Sequence, residues 1–189
     1  MNWRDLWVPP LRFGCNQCGE CCRQMEVPLN HTDLARLRAA RPDLSLAQLV
    51  RLVPADAADP DSVHLEDGWY TLCLPHSGPE RGCHFLEGNQ CSLYEARPSA
   101  CQNWPLALNT HQQPEIYPAH RLLWELACDK TPRRDLGALR ARLNANLNEF
   151  SAYRLLVKRW NQRMASTSPQ AEKSLEAFRQ FATAALSAG

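Results

Sequence analysis

The chain has 189 residues, 44% of them hydrophobic and 22% charged, with a formal net charge of +1. That balance describes a soluble globular protein of one domain, or one domain with a helical extension, and leaves little room for two full domains. No apolar run approaches the ~18 residues of a membrane helix, so the chain is not expected to span a membrane.

The first stretch, MNWRDLWVPPLRF, lacks the basic-then-apolar layout of a secretion signal and carries Asp5 and a Pro9-Pro10 pair. The expected compartment is the cytoplasm. Next comes FGCNQCGECCRQ, residues 13–24, which holds Cys15, Cys18, Cys21 and Cys22 of the nine cysteines. A disulfide-stapled secreted domain normally pairs an even number of cysteines in a shorter chain. Cys21 and Cys22 are no disulfide either, because Cα atoms across a trans peptide sit ~3.8 Å apart, below the ~4.4 to 6.8 Å of ordinary bridges.

A Cys-x-x-Cys-x-x-Cys run folds a short loop whose sulfurs converge, as in bacterial-type ferredoxins, and zinc knuckles use half of that pattern. Thiolates are soft ligands, which points to zinc, iron–sulfur clusters or copper(I) rather than calcium or magnesium. Neighbouring side chains tend to diverge. The Cys21-Cys22 doublet therefore feeds two metal ions, or places one sulfur on a metal and leaves the other for packing or chemistry.

Residues 30–53 read as two short helices: Thr32 as N-cap with Leu34 and Leu37 on one face, a stop near Pro42, then a start at Ser45 with Leu46, Leu49, Val50 and Val53 behind it. PADAADPDSVHLEDG is acidic and proline-bearing, an exposed loop. WYTLCLP is a buried strand in which Cys73 acts as a small hydrophobe. CHFL and CSLY around Gly88-Asn89 form a short β-hairpin that brings Cys83 and Cys91 to neighbouring positions. EARPSAC then starts a helical turn, with Pro98 in its first turn and Cys101 facing the hairpin. EIYP is a short strand, and AHRLLWELACD a helix delivering Cys128 from its end.

From Leu136 the apolar residues Leu139, Leu143, Leu147, Phe150, Tyr153, Val157, Trp160 and Met164 follow steps of three or four, one long amphipathic helix. STSPQ breaks it, Ser168-Pro169 starts a second helix, and Leu175, Phe178, Ala182 and Leu186 mark that helix's apolar face. A helical hairpin packed on the preceding part is the simplest arrangement, with a dimerisation or protein-partner surface as the alternative. Residues 129–189 hold eleven Lys or Arg against five Asp or Glu. Those charges are spread along the helix with no nucleic-acid-binding motif, so a solvated face is expected and nucleic acid is not.

FGCNQCGECC followed by GCHFLEGNQCSLYEARPSACQNWP resembles the CxxCxxCC family, a proposed zinc- or iron-chelating domain that includes YkgJ-like cysteine cluster proteins. The resemblance rests on Phe13, Cys15, Cys18, Gly19, Cys21 and Cys22, then on Cys83, Phe85, Leu86, Cys91, Tyr94, Arg97, Pro98, Cys101 and Pro105. Cys128 stands where family members carry a further cysteine, although Asp129-Lys130 replaces the small Gly-containing stretch expected after it. Cys73 has no place in the pattern.

The resemblance implies metal binding, with Cys15, Cys18, Cys21, Cys22, Cys83, Cys91, Cys101 and Cys128 as the ligand set. Some relatives are called Fe–S oxidoreductases, and flagellin lysine N-methylases carry a similar cysteine-rich region. The expected cofactor is an iron–sulfur cluster of the 4Fe-4S type, used in a redox or group-transfer reaction, with zinc that is structural, stored or delivered as the alternative. The eight thiols make two four-thiolate sites, one cluster with four spare thiols, or a multinuclear site with bridging thiolates.

Phe13, Phe85, Tyr94 and Trp104 are candidates for an apolar sheath around the metal. Arg97 is a candidate for fixing its loop through backbone carbonyls, whereas Arg23 and Arg81 read as solvated. No histidine pair has zinc-ligand spacing, and no GxGxxG, GxxxxGK or Gly-x-Ser-x-Gly pattern is present. The resulting expectation is a mainly α protein with a short β-hairpin, α+β and small. Residues 1–130 would form a metal-centred cysteine-cluster domain and 131–189 a C-terminal helical hairpin packed on it.

Overall fold

Residues 11–78, 80–166 and 173–187 are described by a computed structural model, in which they form seven α-helices and nine short strands. The structure is 47% helical and 20% strand, so the sheet content exceeds one hairpin and the class is α+β. The Ser168-Pro169 helix start lies outside the described residues.

The helix α2 (His31–Ala40) begins at Asn30, one turn boundary before the expected Thr32. The Asn30 side chain accepts the N–H groups of Thr32 and Asp33 at 2.9 Å, and Asp33 accepts the Asn30 N–H in return at 3.2 Å, a reciprocal cap that Thr32 cannot provide from inside the helix. Ser45 caps α3 (Leu46–Leu49) as expected, but Val53 is not helical. Arg51–Pro54 is instead strand β2, which pairs antiparallel with β4 (Gly68–Cys73). β3 (Val63–Leu65) lies on the other edge of β4, so the end of the expected acidic loop is a buried strand.

The C-terminal half of α6 (Leu136–Ser166) packs on this sheet at β3, and α7 (Leu175–Ser187) packs against α6 and α2. Their core holds Leu34, Leu37, Leu72, Tyr153, Val157, Trp160 and Phe178, with Tyr153 only 1% exposed and Phe178 fully buried. α6 has 31 residues, about 46 Å at 1.5 Å per residue, long enough to reach a second, smaller core. There Leu139 and Leu143 meet Phe13 and Leu106.

Leu147 lies between the two cores and is exposed, contrary to the apolar pattern. The middle of α6 faces a polar network instead: Glu149 accepts from the Ser99 hydroxyl at 2.6 Å and from the Asn30 amide at 3.3 Å. The thiol-bearing stretches lie on or beside β1 (Arg12–Gly14), α1 (Glu20–Gln24), the hairpin β5 (Leu86–Glu87) with β6 (Gln90–Cys91), and α4 (Ser99–Asn103). After α4 come the paired strands β7 (Leu106–Leu108) and β8 (Pro114–Ile116), then α5 (Arg121–Ala127) and β9 (Asp129–Pro132). No helix of the described residues is long and apolar enough to cross a membrane.

Candidate metal centre

All eight cysteines of the motif line one cavity of about 570 Å³, and Cys73 does not. Cys73 is buried at the end of β4, 4% exposed. All nine cysteines are free thiols.

Cys15 and Cys128 are brought together by pairing of distant segments. β1 and β9 run antiparallel with Gly14 opposite Asp129, so the residue after β1 lies beside the residue before β9. The Asn16 amide donates to the Ala127 carbonyl at 3.0 Å and the Trp124 indole to the Arg12 carbonyl at 3.0 Å, which fixes the end of α5 and thus Cys128. Gly19, with φ of 80°, turns the loop into α1, which carries Cys21 and Cys22.

The second motif docks on α1 through its backbone. The Cys83 N–H donates to the Cys22 carbonyl at 2.8 Å. Gly82, at φ of 72°, makes that approach possible, since a Cβ there would lie 2.9 Å from the same carbonyl oxygen. In the hairpin Cys91 pairs with Leu86, and Cys83 sits just before β5 rather than opposite Cys91; the strands are shorter than expected because the tight turn pairs only two residues a side.

Arg23 is a clamp and not a solvated side chain. Its guanidinium donates to the Cys18 carbonyl at 3.1 Å, the Gly88 carbonyl at 3.2 Å and Asn89 Oδ1 at 2.6 Å, joining the first cysteine loop to the hairpin turn. Arg97 donates to the Tyr94 carbonyl at 2.8 Å and lies over the Tyr94 ring at 3.6 Å, as its proposed loop-fixing part requires. Arg81 is exposed.

Cys101 is held by α4, whose N-terminus is anchored by a fully buried carboxylate. Asp33 accepts the Ser99 N–H at 2.8 Å and the Arg36 guanidinium at 2.7 Å. Burial still pushes the Asp33 carboxyl above its ordinary range.

The thiols influence one another in a pattern that follows the chain. Cys21 and Cys22 are adjacent on the short helix α1. The neighbouring thiol raises Cys21 and lowers Cys22 to about 7, with Arg97 and Arg23 adding to the second effect. Burial pushes Cys83 up to about 11, and the charges of Cys22 and Cys91 add to it. Burial also raises Cys101, beside Cys22, Cys83 and Cys91, and raises Cys128 to about 11, where Cys18 and Cys15 contribute.

Phe13, Phe85, Tyr94 and Trp104 all line the cavity, with Phe13 edge-on to Trp104 at 6.4 Å. So do residues that the sequence did not single out: His120, Arg133, Arg142 and Asn146. Trp104 Nε1, His120 Nδ1 and Asn146 Nδ2 are buried without a hydrogen-bond partner. Nothing in the spacing of His120 or Asn146 marks them, since they arrive through the short turn between β8 and α5 and through α6.

The donor set suits a thiophilic metal, with eight sulfurs on one wall and arginines nearby to offset thiolate charge. Among the described residues no three Cys, His, Asp or Glu side chains are already gathered about a single metal-sized point.

The family profile of the CxxCxxCC domain, described as a proposed zinc- or iron-chelating domain, matches residues 14–120, more than half of the chain. The chain belongs to the CxxCxxCC family. No curated protein and no solved structure matches it. The description of the family supports metal binding by this CxxCxxCC protein.

Proposed function

We propose that the cavity holds an iron–sulfur cluster used in a redox or group-transfer reaction, with Cys15, Cys18, Cys21, Cys22, Cys83, Cys91, Cys101 and Cys128 as the thiolate wall. The observation that supports this reading is the gathering of these eight, from four separate stretches of chain, on one cavity while Cys73 stays in the core. A cavity of about 570 Å³ has room for a multi-atom cluster, whereas a single zinc needs four donors drawn to ~2.0 to 2.3 Å.

An iron–sulfur cluster supplies one-electron transfer, tuned by hydrogen bonding, charge and solvent access. The chain's own residues set those terms. Phe13, Phe85, Tyr94 and Trp104 limit water, Arg23 and Arg97 offset negative charge beside Cys22, and Asp33 positions α4 and with it Cys101. Nine free thiols suit a reducing cytoplasm. In the two-part organisation proposed here, residues 1–130 carry the metal region and 131–189 brace it, with a protein partner as a further use of the brace.

Zinc is the second reading. It is favoured by the smaller of the two cores that meet the cavity, whose buried members are Phe13, Leu106, Leu139 and Leu143, and which leaves folding energy for a metal to supply. The deciding experiment is metal and acid-labile sulfide content, with an absorption spectrum, on protein purified without oxygen. Iron with matching sulfide supports the cluster; stoichiometric zinc without sulfide supports the structural or metal-handling reading and overturns the first.

A further inference from the structure

We infer that the cysteine wall is two metal centres and not one, divided between the adjacent residues Cys21 and Cys22: Cys15, Cys18, Cys21 and Cys128 form one, and Cys22, Cys83, Cys91 and Cys101 the other. This rests on the metal-binding reading above and adds the assignment of ligands to centres.

The backbone makes the division. The Cys15–Cys18 loop is stapled to the Cys128 end of α5 by the β1–β9 pairing and by the Asn16 bond to the Ala127 carbonyl. α1, which carries Cys21, also packs against α5. On the other side the carbonyl of Cys22 takes the Cys83 N–H, and Gly82 permits no side chain between them. Cys91 follows in the same hairpin, and Cys101 joins it from α4, whose first residue Ser99 is fixed by Asp33. Each group thus has four thiols and its own set of backbone ties.

Spacing agrees with this division. Cys-x-x-Cys-x-x-Cys can place three sulfurs on one centre, and in two-cluster ferredoxins the fourth cysteine of the run serves the other cluster. Here the fourth is Cys22, moved up to stand next to the third. Packing agrees too: Cys22, Cys83, Cys91 and Cys101 all pack with the large core, whereas Cys128 packs with the smaller one, so the seam falls at the Cys21–Cys22 peptide bond. All eight line one cavity, which makes the two centres close neighbours.

The test uses the full chain purified without oxygen. Native mass spectrometry counts the metal, limited chelation removes it in stages, and iodoacetamide labelling with peptide sequencing shows which thiols are freed together. The expected result is loss in two steps, with Cys15, Cys18, Cys21 and Cys128 labelled as one group and Cys22, Cys83, Cys91 and Cys101 as another. Because this needs no substitution, it survives any variant that fails to fold.

Cys128→Ser and Cys91→Ser should each lower metal content about twofold, and together remove it. A single centre in the unmodified chain, labelling that pairs Cys15 with Cys83, or joint release of Cys21 with the Cys83 group overturns the assignment and leaves the metal reading intact. A chain that holds no metal overturns both.

Discussion

The two ends of α6 rest on unlike ground. At its C-terminal end Tyr153, Val157 and Trp160 close against α2, α7 and the three-stranded sheet, apolar surface meeting apolar surface. At its N-terminal end Leu139 and Leu143 meet a smaller core, which Cys128 joins, while Cys22, Cys83, Cys91 and Cys101 pack against the large one, so the thiol-lined cavity draws on both. The first region is completed by the chain's own side chains. The second, around the cavity, is held by short strands, backbone hydrogen bonds and the clamp of Arg23. The two regions should therefore answer to different perturbations.

Chelation is the strongest of these. Structural zinc in small domains contributes ~10 to 16 kcal/mol, so metal removal should strip hydrogen-exchange protection from residues 12–24, 83–103 and 121–132. The C-terminal half of α6 should keep its protection. A uniform loss along the chain would erase the distinction between the regions.

Phe178→Ala comes next, at about 3 to 5 kcal/mol of stability, because the ring is fully buried against Tyr153 and Trp160. Denaturant titration should give the same loss with and without metal. Asp33→Ala should cost about 2 to 4 kcal/mol by leaving the buried Ser99 and Asn30 N–H groups unpaired and removing the nearest carboxylate from Arg36. Unlike Phe178→Ala, it should also lower metal retention, since Ser99 begins the helix that bears Cys101. A variant that loses stability but keeps full metal content would detach Asp33 from the site.

Gly82→Ala sharpens the contrast from the other side. A methyl group 2.9 Å from the Cys22 carbonyl, on a left-handed backbone, should cost about 1 to 3 kcal/mol and weaken metal binding. Exchange protection in α7 should not change.

The smallest effect concerns His31, stacked on Tyr153 in the large core. Burial lowers its pKa below the ordinary 6.5, so as pH falls the unfolded chain takes up the proton first. The stability it confers is complete above about 6.5 and is lost as pH falls through that value towards the lower folded one. His31→Gln should flatten that part of the stability curve without altering metal content.

Much of the site was legible because its signals are local. Gly88-Asn89 marks the hairpin, the periodicity from Leu136 marks α6, and the eight cysteines separate from Cys73 by pattern. What stayed hidden is long-range. Arg12–Gly14 and Asp129–Pro132 are too short to show strand alternation, yet their pairing brings Cys15 to Cys128. Arg23 reads as a surface residue until the hairpin turn folds against it, and Asn30 outcompetes Thr32 as a cap only because Asp33 returns its bond. Val53 carries helical spacing but is claimed by the edge of β4, a tertiary choice over a local one.

The central claim, that the thiol wall is a metal site, is tested most directly by counting reactive thiols in the native, oxygen-free full chain before and after chelation. The account predicts that Cys15, Cys18, Cys21, Cys22, Cys83, Cys91, Cys101 and Cys128 resist a thiol reagent until metal is removed and then react, while Cys73 waits for unfolding. Reaction of the eight without chelation, in protein carrying no metal, would contradict it.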